Sequence, residues 1–116
     1  MQRLRSHCVG VETGSRILFN DYQHDGVMWA GEGERELRHG ITFSEPFVGP
    51  PSVTIGLSLW DVANTANHRI DLTADNVTAT GFDIVFRTWE DTRVARVRAD
   101  WLAIGELRDE DDWEVE

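Results

Sequence analysis

The chain has no lysine: all eleven formal cations are arginine. That favours forked, bidentate contacts over point charges. A lone cysteine, Cys8, excludes a disulfide framework within one chain. No apolar run approaches the ~20 residues of a membrane span. The N-terminal stretch MQRLRSHCVGVETG lacks the apolar core of a signal peptide. Membrane insertion is therefore not expected. The location is cytoplasmic by default, or reached by an export route that leaves no mark in the sequence.

Positive charge is also scarce. The net charge is −10, and residues 106–116 alone (ELRDEDDWEVE) hold seven acids and one arginine. Nucleic acid is excluded as a partner, because neutralising phosphates requires clustered cations. The arginines Arg87, Arg93, Arg96 and Arg98 alternate with apolar residues and stand among acids, which points to internal ion pairs. The four histidines, His7, His24, His39 and His68, show no metal-ligand spacing. No metal and no cofactor are expected. No G-x-S-x-G occurs. Adjacent acids such as Glu90 and Asp91 face opposite ways on a strand, so they do not form a glycosidase pair. A catalytic role is not expected.

What the sequence does contain is a period of two. In SVTIGLSLW, Val53, Ile55, Leu57 and Leu59 alternate with small or polar residues. Ile70 and Leu72 share one face of HRIDLTA. In GFDIVFRTW, Phe82, Ile84 and Phe86 share a face, and Asp83, Val85, Arg87 and Trp89 share the other. In RVARVRADWLAIG, Val97, Ala99, Trp101 and Ala103 share a face. Val94 is out of that phase, which predicts a bulge near Ala95 or Arg96. Weaker strands are predicted at 15–19 and 36–43, with a long mixed loop over 20–34. No helix of ten residues is visible. The pattern predicts an all-β domain of two packed antiparallel sheets over residues 1–105. The acidic segment 106–116 reads as a flexible tail.

Trp89 is the informative anomaly. Phe82, Ile84 and Phe86 already supply the core face of its strand, so Trp89 belongs to the opposite face. Three readings remain open: packing against a neighbouring strand, an intersubunit contact, or a flat platform for a ligand. Sugars suit such a platform, because their C–H faces stack on a ring and their hydroxyls take charge-assisted hydrogen bonds. Arg69, Glu90 and Glu32 are the right kinds of residue to make those bonds.

The ordered series ITFSEPFVGPPSV, LWDVANTANHRI, TATGFDIVFRTWEDTRV and WLAIG resembles the H-type lectin domain family over residues 34–105. The resemblance implies a six-stranded antiparallel β-sandwich that forms a homotrimer. It implies a glycan site at the subunit rims, for a galactose- or N-acetylgalactosamine-like sugar or another glycan. Arg69 and Trp89 match the family's arginine and tryptophan, and Glu32, with Glu34 as the alternative, falls where the family has an acid. Glu90 stands where the family has a histidine, and Ala95 where it has a tyrosine. Two classes of function follow. One is multivalent, lectin-type adhesion to a cell or particle. The other is a structural trimerisation or tail-tip module with a vestigial site.

Overall fold

The computed structural model describes residues 1–5 and 7–108. Six strands follow in order: β1 (Val9–Asn20), β2 (Arg35–Thr42), β3 (Ser52–Val62), β4 (Ile70–Asp75), β5 (Gly81–Thr88) and β6 (Val94–Glu106). They form two three-stranded sheets, ordered β1-β6-β3 and β2-β5-β4. Every pairing is antiparallel. The fold is thus an all-β sandwich. Among the described residues, its only helical pieces are a 3₁₀ turn at Asp21–His24 and a single α-turn at Val27–Ala30. Neither is long or apolar enough to cross a membrane.

β5 and β6 are the middle strands of the two sheets, and the turn at residues 89–93 joins them. Their inner faces carry the core. Phe82, Ile84 and Phe86 on β5 oppose Val97, Ala99, Trp101 and Ala103 on β6, all of them buried. Small residues on one strand accommodate large ones on the other, as two interdigitating sheets require. Phe43, Phe47, Phe82 and Trp101 form an aromatic cluster with centroids 5.0–6.0 Å apart. Gly14 lies under Trp101: a Cβ there would sit 2.5 Å from the indole. No other residue type fits beneath that ring.

The predicted bulge is present. Asp61 pairs with Arg96 and Val62 with Val94, leaving Ala95 as the extra residue on β6. This returns Val94 to the core. A second irregularity corrects the reading of β3. Leu57 pairs with Ala99 but Leu59 pairs with Arg98, so Ser58 is an extra residue. Leu59 therefore leaves the core face that Val53, Ile55 and Leu57 share, and lies on the outer face beside Arg98.

The two outer faces differ in chemistry. On β2-β5-β4, Arg87 pairs with Glu36 at 2.8 Å, and Arg38 reaches Asp75 at 3.0 Å and Asp83 at 3.6 Å. On β1-β6-β3, Val9, Val11, Ile17 and Leu102 are exposed. Within this face Asp100 accepts from Ser15 Oγ at 2.6 Å and Ser58 Oγ at 2.8 Å. Those two hydroxyls hold the Asp100 carboxyl below the usual range. Two of the four arginines read as ion-paired are so: Arg87 with Glu36, and Arg96 with Asp61 at 3.5 Å. Arg98 donates instead to Ser58 Oγ, and Arg93 stacks on Trp29.

At the far end of the sheet, Val9 pairs with Glu106, and the Leu107 N–H donates to the Cys8 carbonyl at 2.9 Å. Leu107 packs against the core. Ordered structure thus continues two residues into the segment read as a tail, whose residues 109–116 lie outside the described residues.

Candidate functional site

The turn at 89–93 is held in place by two buried threonines. Thr88, 1% exposed, donates through its hydroxyl to the Arg69 carbonyl at 2.6 Å. Thr92, fully buried, accepts from the Arg69 N–H at 3.0 Å and donates to the Asn67 carbonyl at 2.5 Å. The backbone of Arg69 is thereby fixed on both sides. Its guanidinium then pairs with Asp91 at 2.7 Å.

Glu90 sits in the left-handed region, with φ at 58°, a conformation uncommon for a non-glycine residue. Its carbonyl accepts from the Gly33 N–H at 3.0 Å and from Arg35 Nη2 at 3.1 Å. Arg35 ties the whole corner together. It is 6% exposed and also donates to Gly33 O at 2.9 Å, Met28 O at 3.2 Å and Val27 O at 3.5 Å. Burial lowers its pKa, and the nearby Glu32 charge opposes that effect. The guanidinium stays charged, because arginine starts far above neutrality. The loop 20–34 is thus fastened to the β5–β6 turn by one buried cation that carbonyl oxygens surround.

Trp89, 37% exposed, projects from the outer end of β5. With Glu34, Arg35, Glu36, Arg87 and Thr88 it lines an open cleft of about 450 Å³. That volume lies in the range of small-ligand sites. Arg87 donates to Glu36 at 2.8 Å, and this bond holds the Glu36 carboxyl below its usual range.

The four residues named from the sequence all lie around this turn, but they do not all share the cleft. Trp89 lines it. Arg69, Glu90 and Glu32 stand around the same corner outside its walls, and Glu34 rather than Glu32 is the loop acid in the lining. Sequence reasoning missed Arg35, Glu36 and Arg87 as cleft residues, and Arg35 as the fastening of the loop. A signal for Arg35 existed. The parity of β2 puts it on the face of Leu37 and Ile41, and a cation in core phase needs a dedicated set of acceptors. Next to the cleft, Trp29 meets Tyr22 edge-on at 5.2 Å and carries the Arg93 guanidinium 4.3 Å above its ring. Among the described residues, no three His, Cys, Asp or Glu side chains converge closely enough to hold a metal.

The family model for the H-type lectin domain matches residues 38–104. The chain belongs to the H-type lectin domain family. Its relatives include a protein of Fuscovulum blasticum called ATP synthase subunits region ORF 7, 59% identical over 93% of this chain and 94% of that one. A discoidin-1 polypeptide of Dictyostelium discoideum is 35% identical over 63% of this chain but only 29% of its own length. The chain thus spans about a third of the discoidins it matches. Wild-type discoidin II from the same organism superposes with a TM-score of 0.71 at 24% identity, over 86% of this chain and 38% of that one. The fold is shared, and it is a carbohydrate-binding lectin fold.

Proposed function

We propose that this lectin domain binds a glycan without catalysis, in the cleft beside Trp89, and does so multivalently as a homotrimer that adheres to a cell or particle. The observation that carries the reading is a half-exposed indole forming one wall of a polar cleft. The C–H face of a galactose- or N-acetylgalactosamine-like sugar, or of another pyranose, stacks on such a ring. Arg87, Glu36 and Glu34 offer donors and acceptors at fixed angles. Arg69, Glu90 and Glu32 extend the polar rim.

Glu36 is unsuited to be the proton donor of a glycosidase. A glycosidase needs one acid raised into the neutral range, and the Arg87 hydrogen bond pushes Glu36 the other way. One shallow site yields roughly millimolar affinity, on the order of −4 kcal/mol. Three sites facing one glycan-bearing surface gain a further factor of about 10²–10⁴. The exposed apolar residues Val9, Val11, Ile17 and Leu102 on the β1-β6-β3 face support assembly with further copies. Taken alone, that face equally favours a structural trimerisation module whose sugar site is vestigial.

Calorimetric titration with monosaccharides, followed by a glycan array, separates the two readings. Under the lectin reading, wild type binds and Trp89→Ala does not, while both have the same mass in solution. Absence of any sugar response in an intact oligomer leaves the structural reading.

A further inference from the structure

The formal charges lining the cleft balance, Glu34 and Glu36 against Arg35 and Arg87, but their pairing is uneven. Arg35 is consumed by four carbonyls, and Arg87 by Glu36. Arg69, on the adjoining rim, is consumed by Asp91, and Arg93 by the Trp29 ring and carbonyl. The acids are not matched in the same way. Glu34 lines the cleft, and its carboxylate takes part in no hydrogen bond or ion pair among the described residues. The same holds for the carboxylates of Glu32 and Glu90, which flank it on the loop and the turn. These three acids are spread around the indole and do not converge on one point, so they do not form a metal cage. Spread acceptors beside an aromatic face suit an organic cation that also carries hydroxyls.

We infer that the cleft beside Trp89 selects amino sugars bearing a free ammonium group over their neutral and acidic counterparts, with Glu34 as the principal counter-charge. The inference rests on the lectin reading of the same cleft and adds the charge class of its ligand. An ammonium on the pyranose ring pairs with Glu34, while the positive C–N edge lies against the indole. N-acetylation removes the charge and so removes the advantage. A uronic or sialic acid meets the unpaired Glu34 carboxylate there and finds the guanidiniums already engaged.

The test is a titration series on the full chain at low ionic strength. It compares galactose, galactosamine, N-acetylgalactosamine and galacturonic acid, and the corresponding glucose set. The expected result is a preference of about fivefold for each amine over its parent sugar, the scale of an exposed ion pair with a cation–π contribution. That preference should shrink in 0.5 M salt, as screening at roughly 4 Å requires. The uronic acids should bind weakest. In Glu34→Gln the amine-to-parent ratio should fall to about one, and in Glu45→Gln, a distant exposed acid, it should stay. If parent sugars bind but the amines show no gain, or the uronic acids bind at least as well, the inference is wrong and the lectin reading stands. If no member of either set binds, both fall.

Discussion

Arg35 Nη2 donates to the carbonyl of Glu90 at 3.1 Å, across a separation of 55 residues. This bond couples the loop before β2 to the turn between the two central strands. The corner that holds Trp89 is therefore built from two distant pieces of chain, and Arg35 is the point where they meet.

Replacing Arg35 by leucine should remove a donor from four carbonyls at once. Among the described residues, those of Gly33 and Met28 have no backbone N–H to replace it, whereas those of Glu90 and Val27 keep the Gly33 and Gly31 N–H groups. Each buried polar group left unpaired costs about 1–3 kcal/mol, and partial hydration of the loop offsets some of it. A net loss of roughly 2–4 kcal/mol is expected by urea denaturation, with faster proteolysis of residues 20–34 in the native protein. Arg35→Lys should not rescue, because a point charge cannot span the carbonyls that a planar fork reaches.

Two tryptophans, one exposed and one buried, should separate function from stability. Trp89→Ala, on a ring 37% exposed, should abolish sugar response in calorimetry and leave the thermal midpoint little changed. Trp101→Ala, on a ring 8% exposed at the centre of the aromatic cluster, should cost about 3–5 kcal/mol. A large stability loss for Trp89→Ala would mean that the indole packs as core.

Gly14→Ala should destabilise by about 1–3 kcal/mol, because the added methyl enters the space of the Trp101 ring and forces a shift. Near-ultraviolet circular dichroism of the indole should change along with the midpoint. The double variant Gly14→Ala, Trp101→Phe should recover part of the loss.

Acid should weaken the fold in a definite window. Glu36, Asp75 and Asp100 all have lowered pKa values: Glu36 chiefly from the Arg87 hydrogen bond, Asp75 from Arg38, and Asp100 from Ser15 and Ser58. A carboxylate with a lowered folded pKa contributes stability above its unfolded value, about 4. It loses that contribution as pH falls through the folded value. The denaturation midpoint should therefore hold steady from neutrality to about pH 5 and fall below it. The double variant Ser15→Ala, Ser58→Ala should lower the neutral plateau, leave stability at the acid end little changed, and so flatten the limb between them.

Assembly can be tested on the β1-β6-β3 face. Ile17→Glu together with Leu102→Glu adds like charges to an exposed apolar face, so each monomer should fold as before. Sedimentation should report a monomer for the variant and a trimer for wild type. A trimer that survives both changes would place the interface elsewhere.

The strands were readable because alternation of apolar and polar residues is a direct consequence of a pleated, half-buried backbone. The Ala95 bulge was readable for the same reason: it breaks the phase between Val94 and Val97. The Ser58 bulge was not. Leu57, Ser58 and Leu59 alternate without a break, and the extra residue appears only in the register against β6. The family resemblance was present in local motifs, and it was the resemblance that put Arg69 and Glu32 beside Trp89 and Glu90. The walls of the cleft beyond Trp89 and the alternative acid Glu34 were not readable there, because Glu36 and Arg87 come together through cross-strand pairing of β2 with β5. Such pairing joins residues that no short window of sequence contains.

The closing stretch of β6 beside β1 sets how the domain can be displayed. Val9, Glu106 and Leu107 cluster at one pole, and the 89–93 turn lies at the other, a strand of 13 residues away. At about 3.3 Å per residue the poles are roughly 40 Å apart. A label attached at Val9 or Leu107 should sit at the rear, with the tryptophan corner directed away from it.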